Sequence, residues 1–218
     1  MRNEKIFILG AGGMGREVLT YYQDLNRLKD VKGFVEQNSA RSGQTIRNIP
    51  ILDEDELVNE EELRLIAGIG NPLRKGWIET LTAQEYRFDT LIHQHAYVGE
   101  NVHIGEGGII CPGSILTCDI TLGKHVIVNI NTGISHDCRI GDYATIAPGV
   151  NIGGRVEIGD ETWVGIGATI IQDIKIGSGA FIAAGSVVVE DVPDNTLVMG
   201  VPARVSRQLQ PSDWKELI

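Results

Sequence analysis

The sequence predicts an α/β domain over residues 1–90, an all-β prism of stacked parallel strands over 91–192, and a C-terminal cap and helix over 193–218. Three observations predict it. The first ninety residues alternate strand-like apolar runs with amphipathic helices. From Ile92 to Val188 every sixth residue is Ile, Leu or Val, seventeen positions without a break. Twenty-seven glycines accompany only 6% aromatic residues, the mixture expected where many tight turns enclose an aliphatic core.

In the first part, "KIFILG" (5–10) reads as a strand, "GREVLTYYQDLNRL" (15–28) as a helix and "VKGFVE" (31–36) as a second strand. A polar loop with Asn38, Ser39 and Gly43 follows, then a short helix in "DEDELV" (53–58) and a strand in "LRLIAGIG" (63–70). "PLRKGWIETLTAQ" (72–84) completes the set as a helix with Pro72 in its first turn. This βαβαβα order predicts a small parallel sheet.

In the second part a period of six suits neither a helix nor a simple strand, so the repeat is the unit of structure. The residue four places after each aliphatic position is also small or aliphatic, from Ala96 and Val102 to Ser186 and Val192. Glycine often follows the aliphatic position directly, as at Gly99, Gly105, Gly123, Gly141, Gly153, Gly159, Gly165 and Gly177, where positive φ is expected to turn the chain. Six residues then make one flat side and one corner. Three sides close a coil, and 18 residues return the chain to the same face.

Composition narrows the function. The 19 Lys and Arg against 29 Asp and Glu give a formal charge of −10, which leaves no basic stripe for nucleic acid or an anionic membrane. No basic-then-apolar leader opens the chain, and no apolar run approaches the roughly 18 residues that span a bilayer, so a cytoplasmic location is expected. Cys111, Cys118 and Cys138 lack metal-site or disulfide spacing and read as small core residues. No two of His93, His95, His103, His125 and His136 are separated by a multiple of 18, so no metal site is expected within one chain.

"GAGGMG" (10–15) lies between a strand and a helix, where a glycine-rich loop can carry a phosphate. Gly10 permits the turn, Gly12 and Gly13 admit a pyrophosphate, and Met14 and Gly15 open the helix whose N–H groups would face it. Glu36 ends the second strand, 21 residues after Gly15, where a carboxylate can accept from a ribose. The domain is the size of one mononucleotide-binding half, which favours a single nucleotide carrying a substituent over NAD. "GIGNPLRK" (68–75) adds Gly70, Asn71, Arg74 and Lys75 as candidate nucleotide contacts, although for Arg74 and Lys75 a solvated helix face is the preferred reading.

His136 and Asp137 form the chain's only adjacent His-Asp pair. His136 lies two residues past inward Ile134, so alternation points it outward near a corner. Eighteen residues on stands Gly154, one coil away at about 4.8 Å, leaving space and an N–H beside the histidine. A histidine with an adjoining carboxylate suits general-base chemistry near neutral pH. The same two residues could equally solvate an exposed turn.

The repeated [Ile/Leu/Val]-Gly-x₄ hexads resemble the hexapeptide-repeat transferases, and with the "GAGG" loop and the exit "VPDNTLVMGVPAR" (192–204) the match extends over residues 4–207. The chain resembles the nucleotide-sugar acetyltransferases typified by the UDP-4-amino-sugar N-acetyltransferase of bacillosamine synthesis, with sialic acid O-acetyltransferase relatives. The resemblance implies a Rossmann-like domain, a left-handed parallel β-helix and a homotrimer with active sites in clefts between neighbours. By position it implies His136 as general base, Asp137 as the residue that orients it, and Gly154 as amide donor to the thioester carbonyl. It implies acetyl-CoA as co-substrate along Thr145, Gly154, Gly165, Gly167, Ala168, Ala184, Gly185, Pro202 and Arg204, and a nucleotide-linked amino sugar as acceptor. Met14 stands where the amino-sugar members often carry a histidine, so sugar or sialic acid O-acetylation stays open beside N-acetylation. A trimer that only binds a nucleotide sugar is the alternative of another class.

Overall fold

The computed structural model describes residues 4–37 and 40–217, apart from the side chain of Lys215. The chain divides into two compact units, one holding the residues up to Gly70 with Arg74–Thr90, the other Asn71–Leu73 with the residues from Leu91.

In the first unit β1 (Lys5–Leu9) lies between β2 (Val31–Glu36) and β5 (Leu63–Ala67), parallel to both. β4 (Ile49–Asp53) extends the sheet parallel to β2, and β3 (Thr45–Ile46) turns back antiparallel at the edge, giving the order β3-β4-β2-β1-β5. Helices α1 (Gly13–Asp24) and α2 (Arg74–Ala83) follow β1 and β5. This is the expected Rossmann-like class, with one difference. The helix expected over 53–58 is only a 3-10 turn at Glu54–Glu56, and the polar loop before it contains the β3–β4 hairpin. Asp53 caps that turn and is also the last residue of β4 to pair with β2, opposite Glu36, so the sheet runs into the segment expected as a helix. Asn38 and Ser39 lie outside the described residues. Tyr22, fully buried on α1, donates to Asp89 at 2.7 Å, and burial followed by the Asp89 charge pushes its phenol well above the ordinary range.

The second unit contains seventeen two-residue strands, β6 (Leu91–Ile92) to β22 (Val187–Val188), each ending on one of the seventeen aliphatic positions. Partners are 18 residues apart, as in Leu116↔Ile134↔Ile152, and form three parallel sheets. From Ile110 onward the aliphatic residue of each strand is buried in one continuous core, whereas Ile92, in the first strand, is 41% exposed. β23 (Thr196–Gly200) pairs parallel with Phe181–Ile182, and β24 (Ala203–Gln208) returns antiparallel on it. The expected C-terminal helix is present as a 3-10 turn at Pro211–Asp213 and one helical turn, α3, at Trp214–Leu217; Trp214 packs with Phe181, Leu197 and Leu209.

The corners correct one expectation. The glycines after the aliphatic positions do not carry the positive φ; it falls two residues later, at Asn101, His125, Tyr143, Arg155, Glu161 and, where no side chain is present, Gly167. The glycines are required by close approach. A Cβ at Gly99 would stand 1.6 Å from the Thr117 carbonyl oxygen, and at Gly105 2.5 Å from that of Gly123, so each coil passes against the backbone of the next. Replacing Gly105 by Ala is therefore expected to cost about 1–3 kcal/mol of unfolding free energy in a denaturant titration. An unchanged midpoint would refute the close-approach account.

Candidate active site

The glycine loop is built by backbone contact. Gly10 has φ +87°, and a Cβ there would meet Ile69 at 2.7 Å; a Cβ on Gly15 would stand 2.0 Å from the Gly10 carbonyl oxygen. Only glycine lets α1 start this close to β1. Gly12 caps the helix, which begins at Gly13, and no atom lies within 4 Å of where a Cβ of Gly12 or Gly13 would stand. That open backbone at a helix N-terminus, with Met14 half-buried in the first turn, fits an anion.

Glu36 reaches the loop and accepts from the Ala11 N–H at 3.3 Å. Both its oxygens also engage Arg41, a residue that the sequence pattern did not single out. Gly70 accepts from the Arg74 guanidinium at 2.9 Å, and Asn71 accepts from the Leu73 N–H at 2.9 Å. The solvated-face reading fails for Arg74, which is 3% exposed, because its side chain folds back onto its own strand-to-helix turn. Lys75, which faces Glu79 at 3.9 Å, fits that reading.

In the second unit His136 follows the strand Gly133–Ile134 and immediately precedes Asp137, whose φ of 61° makes the corner. Aspartate tolerates this left-handed conformation better than most side chains. His136 Nδ1 and Asp137 Oδ2 are 2.7 Å apart, with the side chains 49% and 56% exposed. The ring rests on Gly154: a Cβ there would fall 2.6 Å from Cε1 and 2.7 Å from Nε2. The missing side chain one coil away is what gives the imidazole its seat.

The amides at this corner also differ from those of a neighbouring corner. There the N–H groups of Lys124, Asp142, Asp160 and Ser178 donate in turn to Asp142, Asp160, Ser178 and Asp194, at 2.7, 2.8, 3.2 and 2.9 Å. Among the described residues the N–H groups of His136 and Gly154 meet no protein acceptor. The corner is left uncapped where the imidazole sits. Cys138 is buried and donates towards the Gly153 carbonyl at 3.2 Å, and burial raises its thiol pKa. Cys118, one coil before His136, is half-buried, and its thiol is raised by desolvation and then by Asp119. No three His, Cys, Asp or Glu side chains gather as a metal centre among the described residues.

Of the positions assigned to acetyl-CoA, Gly154 lies at the His136 corner, whereas Gly167, Ala184 and Gly185 lie at another. Gly167 and Gly185 have φ of +66° and +67°, with no atom within 4 Å of either Cβ position, and Gly185 N donates to Ile166 O at 2.8 Å. Together with exposed Ala184 they form an open strip of backbone that carries little beyond the Ala184 methyl and the exposed Ile166 side chain, a shape that fits a narrow pantetheine arm. Exposed Pro202 and Arg204 lie on the terminal hairpin, and Arg204 pairs with Glu190 at 3.6 Å. Thr145, Gly165 and Ala168 are buried, and the Ala168 methyl joins the solenoid core, so that residue offers a ligand only its backbone. Gly149 and Gly167 precede, while His136 and Gly154 follow, strands of the same sheet. One chain therefore holds the imidazole and the open glycine strip at opposite edges of a face.

Residues 119–154 and 155–189 match the family described as bacterial transferase hexapeptide (six repeats), and residues 5–81 match the PglD N-terminal domain. No curated protein matches the chain. Among solved structures, WeeI from Acinetobacter baumannii AYE is 31% identical, with a TM-score of 0.86 over 93% of this chain and 99% of that one. The chain belongs to the hexapeptide-repeat nucleotide-sugar acetyltransferases. The acetyltransferase is also similar to the acetyltransferase domain of PglB from Neisseria gonorrhoeae FA1090, at 28% identity and TM-score 0.85 over 93% and 99% of the two chains. A perosamine N-acetyltransferase variant from Caulobacter crescentus, in complex with CoA and GDP-perosamine, is 27% identical with TM-score 0.84 over 94% of this acetyltransferase and 97% of that chain.

Proposed function

We propose that this acetyltransferase transfers the acetyl group of acetyl-CoA to the amine of a nucleotide-linked amino sugar, such as a UDP-4-amino-4,6-dideoxy sugar, in bacterial surface-glycan synthesis. The observation that carries the proposal is the His136–Asp137 contact of 2.7 Å with the imidazole seated on Gly154. Donation from Nδ1–H to Asp137 fixes the tautomer, which leaves the Nε2 lone pair to accept a proton. The sugar amine attacks the thioester carbonyl, Nε2 takes the amine proton, and the C–S bond breaks. His136 then returns the proton to the departing sulfur, so that an amide and free CoA thiol leave together. The Gly154 N–H donates to the carbonyl oxygen as it becomes negative.

In this reading the glycine loop, Glu36, Gly70, Asn71 and Arg74 hold the nucleotide, and Gly165, Gly167, Ala184, Gly185, Pro202 and Arg204 hold acetyl-CoA, with Thr145 and Ala168 shaping that strip. The catalyst is a cytoplasmic homotrimer, in which a neighbour's glycine strip lies beside His136. The separation of these features to opposite edges of one face supports that arrangement. Among the described residues no helix is long and apolar enough to cross a membrane. Relatives bearing CoA and GDP-perosamine, or dTDP-4-amino-4,6-dideoxyglucose and CoA, set the range of acceptors to assay.

A panel of UDP-, GDP- and dTDP-linked 4-amino sugars, followed by release of CoA thiol, tests the acceptor. Release with an amino sugar, and none with the matching 4-hydroxy sugar, is expected. Release only with hydroxyl acceptors such as sialic acid would replace N- by O-acetylation, and release with neither would overturn the assignment.

A further inference from the structure

The His136 corner carries a second polar pair for which the general-base reading has no role. Asp119, Asp137, Arg155 and Asp173 occupy the same left-handed position on four successive coils, with φ of 55°, 61°, 60° and 64°. Parallel pairing stacks them at about 4.8 Å per coil. Asn101 occupies Asp119 through a 3.0 Å hydrogen bond, and Asp137 holds His136. Arg155 points to the far side: its Nε and Nη2 donate to the two oxygens of Asp173 at 2.6 and 2.8 Å. The Arg155 N–H donates to the His136 carbonyl at 2.9 Å, so a permanent cation is fastened one coil from the Asp137 carboxylate.

We propose that Asp173 is a positioning residue for the base: by holding the Arg155 guanidinium it keeps that cation off Asp137 and preserves the Asp137–His136 bond. The proposal rests on His136 being the base. A guanidinium presents two parallel donors to a carboxylate and would compete with a single imidazole N–H for Asp137. It would also oppose the positive charge that His136 gains when it takes a proton. Paired with Asp173, it does neither. The charged and titratable groups around the imidazole are then Asp137 on its own coil, Cys118 and Asp119 one coil before, and Arg155 and Asp173 after. The electrostatics agree: the Asp173 carboxyl is held below its usual range by the Arg155 hydrogen bond, with His136 adding to the effect.

The two partners have opposite signs, and the test uses this. In Asp173→Asn the cation is uncompensated, so the acid limb of the kcat/KM pH profile is expected to move to lower pH, by roughly half a unit at low salt. Turnover is expected to fall as Asp137 is drawn to Arg155. In Arg155→Gln the carboxylate of Asp173 is unopposed, and the same limb is expected to move to higher pH. Both displacements should shrink in 1 M salt, because the pair is exposed. A purely structural staple would lower the melting temperature of both variants without moving the limbs apart. Limbs that coincide with the wild-type profile, or move in one direction together, overturn the proposal. Full turnover in His136→Ala would instead overturn the base assignment on which it rests.

Discussion

His136→Ala is expected to fold with an unchanged melting temperature and to lose about 10²–10⁴-fold in kcat, with little change in the KM for either substrate. The side chain is half exposed and contributes no methyl group to the solenoid core, so removing it leaves no internal cavity. Its contribution is confined to the proton. Asp137 should be a weaker point of failure: Asp137→Asn keeps the corner conformation that asparagine tolerates, but frees the ring to choose its tautomer. Steady-state kinetics with CoA-thiol detection, alongside thermal melts, check this. Turnover within a factor of two of wild type in His136→Ala would remove the base from the mechanism.

Gly154→Ala is expected to reduce kcat by about 10²-fold, through displacement of the His136 ring. The new Cβ would stand 2.6 Å from Cε1 and 2.7 Å from Nε2, closer than nonbonded atoms allow, and the ring is the part able to move. A displacement of about 1 Å suffices for a loss of that size. The fold should survive, because Gly154 has no positive φ to defend. Gly133→Ala is the control: it lies on the adjoining strand, where a Cβ would meet only Asn151 Oδ1 at an ordinary 3.6 Å. Equal activity in the two variants would refute the seating of the ring on Gly154.

Much of this was legible because the repeat is rigid arithmetic. The seventeen aliphatic residues are the second members of seventeen strands, so the register of Ile134 on Ile152 is enough to place His136 beside Gly154. The glycines were legible as necessary but not as to why. A six-residue period does not distinguish a residue that turns the chain from one that lets the next coil pass, and here the turn belongs to residues such as Tyr143 and Glu161.

In the first unit the hairpin was hidden because "TIRNIPIL" is short, and its pairing of Ile46 with Ile49 depends on a turn at Arg47 and Asn48, both with positive φ. Arg74 looked like a surface cation because α2 carries polar neighbours, whereas its burial follows from a carbonyl four residues back. Arg41 had no signal in a single sequence: its partner Glu36 was visible, but the loop that returns it was not. The Arg155–Asp173 pair, by contrast, is an 18-residue spacing of opposite charges. The coil spacing that no two histidines share is the one that joins these two charges, so the pair is legible wherever coil periodicity is applied to charge as well as to metal ligands.

The coil register also makes the corner column a ruler. Parts of the site on this column are separated by whole coils, so their spacing along the axis changes only in steps of about 4.8 Å. Lengthening the chain by one residue between Asp137 and Gly154 would put a different side chain under the imidazole. Eighteen inserted residues would instead keep every face in phase and slide the seat one step away. Within this column, distance changes by counting coils, and point substitutions only decide what each step holds.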